Sequence, residues 1–328
     1  MPFKKIIVLL LFLISFSVNA SYILLPMDET TQQNHLKAYG ITYWCLDKSY
    51  KAQWLLNYRG GSFLLPDAEE IRKECQIRGV SFEILSDGEQ EAILNEISSP
   101  SQNMESVLLE KAPKIAVYTP KGKQPWDDAV TLVLTYAEIP FTPIYDQEVL
   151  SDQLLLYDWL HLHHEDFTGQ YGKFYGAYRN APWYIEQKSA AEALAQQLGY
   201  SKVAQEKGAV AKKIRDFVIG GGFIFAMCSA TDSFDIALAA DGLDICEAMF
   251  DGDASEASYQ SKLNYDSSFA FKNFTLERKP EQYEFSDIDT TKDRESRIIP
   301  FEKDYFTLMD FSAKWDPVPT MLCQNHTQ

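Results

Sequence analysis

Apolar and polar positions are arranged differently in the two parts of this chain. From Lys111 onward, short apolar runs such as Lys114–Tyr118 and Phe223–Met227 show no alternation and are separated by segments with helical periodicity. Strands without alternation are buried on both faces, which is typical of a parallel sheet covered by helices. The pattern therefore predicts the α/β class, as a three-layer sandwich with a flavodoxin-like parallel sheet. Functional sites of such sheets lie at the carboxyl ends of the strands.

The elements of this second part follow from the same pattern. Strands are predicted at Lys114–Tyr118, Thr142–Tyr145, Leu154–His163 and Phe223–Met227, with a further strand of alternating aromatics at Phe269–Leu276. Helices are predicted at Trp126–Tyr136 and Ser229–Ala240, and through Val210, Ile214, Phe217 and Val218, which share one helix face. The run Gly220-Gly221-Gly222 ends that last helix.

Residues 21–110 show short strands that alternate with helices. Strands are predicted at Tyr22–Leu25, Trp54–Leu56, Ser62–Leu65 and Val80–Leu85, and helices at Gln32–Tyr39 and Asp67–Arg78. The Ser/Pro/Gln/Asn-rich stretch Ser98–Asn103 is the strongest boundary signal. We therefore predict an N-terminal α/β segment at 21–110 and a second domain at 111–328. The sequence leaves open whether the C-terminal end of that domain is complete.

The N-terminus has the pattern of a secretory signal peptide. Lys4 and Lys5 precede the apolar run Ile6–Val18, and Val18 and Ala20 supply small residues for a cleavage site. We expect cleavage after Ala20 and an exported product, periplasmic or secreted. No later stretch reaches about 18 consecutive apolar residues, so we expect no stable membrane span after cleavage.

The composition and the net charge limit the classes of molecule that the protein is expected to bind. Hydrophobic residues make up 46% and aromatic residues 13% of the 328 residues, which is typical of a globular protein with a large core. The net charge of −17 disfavours nucleic-acid binding, because an acidic surface repels phosphate backbones. The cysteine count of 5 is odd, so at least one thiol is left unpaired within the chain.

Cys228 is the first candidate for chemistry. It lies between the predicted strand Phe223–Met227 and the predicted helix that begins at Ser229, so it sits on a turn at the carboxyl edge of the sheet. The helix N-terminus favours a thiolate there, and the Ser229 N–H is a candidate oxyanion donor. Ser229 and Asp232 have capping-box spacing. The alternative is a buried cysteine that packs as a small apolar residue.

The second candidate is the run from His161 to Asp166, where three of the 5 histidines of the chain fall within four residues. It ends a predicted strand and is followed by Gly169. Imidazoles and carboxylates form either an acid–base set beside Cys228 or a set of ligands for a divalent metal. The candidates for such a metal are His161, His163, His164 and Asp166. The third interpretation is one buried, hydrogen-bonded histidine and a solvated loop.

The stretch Lys207–Ala230 resembles the class I glutamine amidotransferase-like fold. In that family a helix, a Gly-Gly-Gly turn and a strand lead to a Gly-x-Cys-x-Gly elbow; Cys228 takes the cysteine position, with Ala226 and Ala230 in place of the glycines. The resemblance implies Cys228 as the nucleophile, and the site is completed by two groups of residues. The catalytic candidates are His163, His164 and Glu165; those for oxyanion or ligand binding are Ser229, Gly222, Gly169 and Asp232.

The family also places a histidine, and a glutamate two residues later, near the end of the domain. His326 and Gln328 resemble that order, but a glutamine cannot supply the carboxylate. The base is therefore sought among His161–His164 or beyond the chain.

A further resemblance covers nearly the whole chain. The phrases Met27–Thr30, His35–Gly40 and Tyr157–Tyr171 resemble exported bacterial proteins, mostly from Bacteroidota, that carry the label asparagine synthetase B. Such a synthetase needs an N-terminal cysteine nucleophile and a Ser-Gly-Gly-x-Asp-Ser loop for pyrophosphate. This sequence has neither, so its motifs do not support synthetase chemistry.

The sequence is compatible with three functions. The first is an exported amidotransferase-like enzyme that hydrolyses an amide-type bond through Cys228. The second is a non-catalytic module on the same fold, for which a small-molecule or carbohydrate ligand, or a partner protein, is the expected occupant. Aromatic residues suited to stacking on a sugar are Trp126, Trp159, Tyr171, Tyr175 and Trp183. The third is a metal-assisted hydrolase centred on His161–Asp166.

Overall fold

A computed structural model describes residues 21–120, 129–163 and 165–278. The described chain divides into two compact units, and the boundary along the chain falls between Ala112 and Pro113. Several residues singled out in the sequence lie outside the described residues: the predicted signal peptide, Trp126, His164, Cys323, His326 and Gln328. Within the described ranges, no helix is both long enough and apolar enough to cross a membrane.

The first unit is an antiparallel sheet with helices on both faces. Its strands are β1 (Ser21–Leu25), β2 (Ala52–Leu56), β3 (Ser62–Pro66), β4 (Glu83–Ser86) and β5 (Glu105–Leu109). Its helices are α1 (His35–Asp47), α2 (Glu69–Arg78) and α3 (Asp87–Ser98). The strand order is β4-β1-β3-β2-β5, and every neighbouring pair is antiparallel.

Side chains that alternate along β1 explain the two cores of this unit. Ile23 and Leu25 pack with residues of α1 and α2, whereas Leu24 points to the opposite face and packs in a cluster with Ile97 of α3. The boundary signal at Ser98–Asn103 does not mark the change of unit, which comes after Ala112, two residues beyond the predicted limit of 110. The stretch is a loop between α3 and β5, and β5 returns to pair with β2 of the same sheet.

The second unit confirms the predicted α/β class with a parallel sheet. Its strands are β6 (Ile115–Tyr118), β7 (Phe141–Ile144), β8 (Trp159–Leu162) and β9 (Phe223–Ala226). The order is β7-β6-β8-β9, and all three pairs are parallel. The first strand of the unit thus lies between the second and the third, an order compatible with a flavodoxin-like three-layer fold.

The helices of the second unit differ greatly in length. They are α4 (Ala129–Ala137), α5 (Asp146–Leu150), α6 (Gly172–Tyr178), α7 (Pro182–Gln197), α8 (Val203–Ile219), α9 (Ser229–Ala239) and α10 (Ala248–Asp251). The main core forms where Leu160 and Leu162 of β8 pack against Val210 and Ile214 of α8 and Phe234 of α9. The predicted helix face that contains Val210 and Ile214 is therefore the buried face.

Two predicted strands of this unit require correction. Within Leu154–His163 only β8 is a strand, because Gln153–Leu156 form a 3-10 helix after Asp152, whose backbone is left-handed. Phe269–Leu276 is not a strand. Its first backbone N–H groups do not pair with a neighbouring strand; those of Phe269, Ala270 and Phe271 donate to the carboxylate of Asp235 at 2.8, 2.7 and 2.9 Å.

Candidate functional site

Cys228 has an unusual backbone conformation at the turn between β9 and α9. Its φ is 51° and its ψ is −137°, whereas Asn57 and Asp152, also at positive φ, have ψ values of −2° and 19° in the ordinary left-handed region. A residue with a side chain is strained outside that region, at a cost of about 1–3 kcal/mol. Such outliers cluster at functional sites because the surrounding structure must hold them in place.

Main-chain hydrogen bonds hold this turn against the end of β8. The N–H of Met227 donates to Leu162 O at 2.9 Å, and the N–H of Ala230 donates to His163 O at 3.3 Å. The thiol-bearing residue itself is exposed, whereas Ala230 has no exposed surface. The first residues of α9 are therefore fixed while Cys228 remains accessible.

The expected capping box at Ser229 and Asp232 is wrong. The N-cap of α9 is Cys228, Ser229 is the first helical residue, and no side chain caps the helix. Asp232 is buried and its Oδ1 accepts the N–H of Ser233 at 3.0 Å. Ser229 is the first residue of α9 and follows Cys228 directly.

The segment from His161 to Asp166 leaves the sheet at the same edge as Cys228. Strand β8 lies between β6 and β9, and Leu162 pairs with Ala226, so His163 and Cys228 both follow carboxyl ends of neighbouring strands. His161 is fully buried and stacks on Phe225 with ring centroids 5.7 Å apart. The N–H of His163 donates to Glu165 Oε2 at 3.1 Å.

Asp166 shapes the loop that follows β8. Its Oδ1 accepts the backbone N–H of Thr168 at 2.7 Å and the hydroxyl of the same residue at 2.6 Å, and its Oδ2 accepts the N–H of Tyr171 at 3.1 Å. Both carboxylate oxygens are thus committed to the loop. These bonds fix the orientation of the Asp166 carboxylate within the loop.

Among the described residues, the group arranged as metal ligands is Asp244, Cys246 and Asp251; His164 of the predicted histidine cluster lies outside the described residues. The ammonium of Lys202 contacts Asp244 at 2.5 Å and Asp251 at 3.0 Å, and it also binds Asp253. A lysine ammonium thus already neutralises these carboxylates. Their geometry serves to join the loop at 244–253 to the start of α8.

The two glycines predicted to line the site have packing roles. Gly222 precedes β9, so it lies at the edge of the sheet opposite Cys228, and a Cβ there would lie 2.3 Å from the ring of Phe217. Gly169 has φ of +73°, and a Cβ there would lie 2.7 Å from the backbone N of Ala204. Close approach of the loop to α8 requires that glycine.

Substitution of Gly169 by Ala is expected to lower the free energy of unfolding by about 2 kcal/mol, because the positive φ and the contact with Ala204 both oppose a Cβ. Gly208→Ala is the matched control. Gly208 lies within α8 with nothing within 4 Å of the added Cβ, so this change should raise the free energy of unfolding by about 0.5–1 kcal/mol. Denaturant titration measures both; equal effects would contradict the packing role of Gly169.

The aromatic residues proposed for sugar stacking pack against other rings. Tyr171, Tyr175 and Trp183 surround the buried Tyr184, with ring centroids 6.1, 6.4 and 5.8 Å from it. Trp159 contacts Phe223 edge to face at 6.2 Å. The first group therefore stabilises the packing around α6 and α7, since each ring contributes apolar area and an edge-to-face contact.

A buried ionic network near the ends of β6 and β7 was not predicted. The ammonium of Lys207, on α8, lies 2.8 and 2.7 Å from the two carboxylate oxygens of Asp146. It also donates to the hydroxyl of Tyr118 at 2.9 Å and to that of Tyr145 at 3.0 Å. The hydroxyl of Tyr118 donates in turn to Asp146. Lys207 is only 4% exposed and Asp146 only 1%.

Burial and mutual charge determine the protonation of this network. Burial by itself lowers the pKa of Lys207, but Asp146 and the two phenols outweigh it, so the pKa lies well above its ordinary value. Burial raises the pKa of Glu206 to about 8, with Lys207 opposing and Asp146 adding to the rise. Lys207 is thus charged and Glu206 is largely protonated at neutral pH. The available sequence signal was their position on the buried face of α8, one turn before Val210.

Comparisons of the chain with protein-family models, with curated proteins and with solved structures find no match. Fold by itself does not determine function, because one fold carries many activities. The features with the most direct bearing on the function of this chain are therefore the turn at Cys228 and the loop after β8.

Proposed function

We propose that this chain is an exported, amidotransferase-like protein that hydrolyses an amide-type bond, with Cys228 as the nucleophile. The observation that supports it most directly is the strained backbone of an exposed cysteine between a parallel strand and a helix, at φ 51° and ψ −137°. In hydrolases with a nucleophile elbow, the same kind of turn presents the reactive atom above the sheet.

The surrounding fold is consistent with a class I glutamine amidotransferase-like domain. The parallel order β7-β6-β8-β9 brings the loop after β8 beside the turn after β9. The turn adopts its strained conformation although Ala226 and Ala230 replace the glycines of that family. Alanine at these positions therefore does not exclude an elbow in this chain.

The proposed reaction begins when the thiol of Cys228 transfers its proton to the imidazole of His163 or of His164. The sulfur attacks the carbonyl carbon, a C–S bond forms, and the carbonyl electron pair moves to the oxygen, towards which the N–H of Ser229 donates. When the C–N bond breaks, the imidazolium protonates the leaving amine. Water then cleaves the thioester, which releases a carboxylic acid and restores the thiol.

The two alternative functions receive less support from the geometry. For a metal-assisted hydrolase, His161 is buried against Phe225, and the described residues of the run from His161 to Asp166 do not form a group of metal ligands. A non-catalytic binding module gives no functional reason for the strained backbone at Cys228. That module is nevertheless the function that remains if the thiol proves ordinary.

Alkylation of the native protein by iodoacetamide between pH 5 and 9, read by mass spectrometry, tests the proposal. The reference is a second protein with Cys228→Ser and Glu91→Cys, which introduces a thiol at an exposed position of α3. At pH 6 we expect Cys228 to react about ten-fold faster than the introduced thiol, because the proposal requires a general base that accepts the thiol proton and activates the sulfur. His163→Ala and His164→Ala identify which imidazole contributes. Equal rates at every pH would lead us to abandon the nucleophile for the binding module.

A further inference from the structure

One buried hydroxyl fastens the loop after β8 to helix α9. Ser233 Oγ accepts the N–H of Phe167 at 3.3 Å and donates to the main-chain oxygen of Glu165 at 3.0 Å. Ser233 has no exposed surface. Its hydroxyl therefore acts as donor and as acceptor at once, and both of its partners are main-chain groups of the loop.

The same loop is tied to the start of α9 at its other end. The N–H of Ala230 donates to the main-chain oxygen of His163, and the N–H of His163 donates to the carboxylate of Glu165. Ser233 follows Cys228 by five residues, about 7 Å along the helix axis. The loop that begins at His163 is thus attached at two points to the helix that follows Cys228.

The packing of Phe167 fixes the end of the loop at the point where Ser233 binds its main chain. The ring of Phe167 is fully buried, with its centroid 5.3 Å from that of Tyr118 and 5.6 Å from that of Phe234. Without the hydroxyl, the N–H of Phe167 and the main-chain oxygen of Glu165 would lose the partner that they share. A buried main-chain group without a partner is costly, so the loop would shift to recover one.

We propose that Ser233 is a positioning residue. It sets the distance between the loop after β8 and Cys228, and this distance determines the reactivity of the thiol. This inference rests on the proposed function, because it needs a loop imidazole to act on Cys228. A shift of the loop by about 1 Å is enough to lower the rate of a positioned reaction by one or two orders of magnitude.

Ser233→Ala in the full chain is the first test, with Ser62→Ala as the matched control. Ser62 is equally buried, and its hydroxyl donates to the main-chain oxygen of Arg59 at 3.2 Å in the first unit. We expect Ser233→Ala to lower the iodoacetamide rate of Cys228 at pH 6 about ten-fold and to move its pH profile to that of the thiol introduced by Glu91→Cys. Ser62→Ala should lose stability to a similar extent and keep the native rate and profile.

A second pair of variants removes the effect of side-chain size. Ser233→Thr and Ser233→Val add nearly the same volume, but only threonine keeps the hydroxyl. We expect the threonine variant to retain most of the native rate and the valine variant to lose it. If Cys228 reacts rapidly in the native protein and equally rapidly in the alanine or valine variant, Ser233 is merely structural and the inference is overturned. If Cys228 of the native protein reacts as an ordinary exposed thiol, the proposed function itself fails.

Discussion

Substitution of Lys207 by Met is expected to lower the free energy of unfolding by about 3–5 kcal/mol, because it leaves a buried carboxylate without its counter-charge. The ammonium bridges both oxygens of Asp146, and neither residue is more than 4% exposed. The phenols of Tyr118 and Tyr145 would also lose their charged donor. Thermal and denaturant unfolding at neutral pH measures the loss.

Two further variants separate the ion pair from the loss of one side chain. Lys207→Met combined with Asp146→Leu removes both charges, and we expect it to recover more than half of the loss, since no buried charge remains uncompensated. Lys213→Met is the surface control. Its partner is Asp152, and the two side chains are 40% and 59% exposed, so the effect should stay below about 1 kcal/mol. A loss in the double variant as large as in Lys207→Met would contradict the charge argument.

Glu206→Gln is expected to make the protein more stable at pH 8–9, by on the order of 3 kcal/mol. The pKa of Glu206 is raised from 4.5 to about 8, chiefly by burial. The folded state therefore binds a proton that the unfolded state has released between these two values. The stabilisation from this proton is fully present below about pH 4.5 and is lost as the pH rises through about 8. Glutamine keeps the shape of the neutral acid but does not titrate.

The pH dependence of unfolding between pH 5 and 9 checks this expectation. The advantage of the glutamine variant should be small near pH 5, grow up to about pH 8 and level off above it. Glu91→Gln, an exposed residue on α3, should leave the curve of the native protein unchanged. If the advantage of Glu206→Gln is the same at pH 5 and pH 9, Glu206 does not hold a proton in the folded state.

Local sequence patterns were sufficient for most of the strands and helices. The runs at Lys114–Tyr118 and Phe223–Met227 predicted buried strands because an uninterrupted apolar run fits a sheet covered on both faces. The patterns predicted the wrong structure where a side chain, and not a neighbouring strand, accepts the hydrogen bonds of the backbone N–H groups. At Phe269–Leu276 the aromatic alternation is that of a strand, but Asp235, more than thirty residues earlier, binds its first N–H groups.

The candidate site was predicted only in part. The placement of Cys228 between a strand and a helix was readable from the sequence, because both elements are local. Two features could not be read from the sequence: the hydrogen bonds of Asp166 within its own loop, and the position of Gly222 at the edge of the sheet opposite Cys228. Both depend on the path that the chain takes around the strands. The network of Lys207 and Asp146 joins residues 61 positions apart, which no local pattern reveals.

The sequence alone specified the α/β class of the second unit, the buried face of α8 and the turn that contains Cys228. Each follows from periodicity or from residues adjacent in the chain. Tertiary structure decided the strand order, the strained backbone at Cys228, and which carboxylates pair with cations rather than with a metal. These depend on contacts between distant segments, where desolvation of a charge or of a main-chain N–H is compensated by a partner that only the folded chain brings within hydrogen-bond distance.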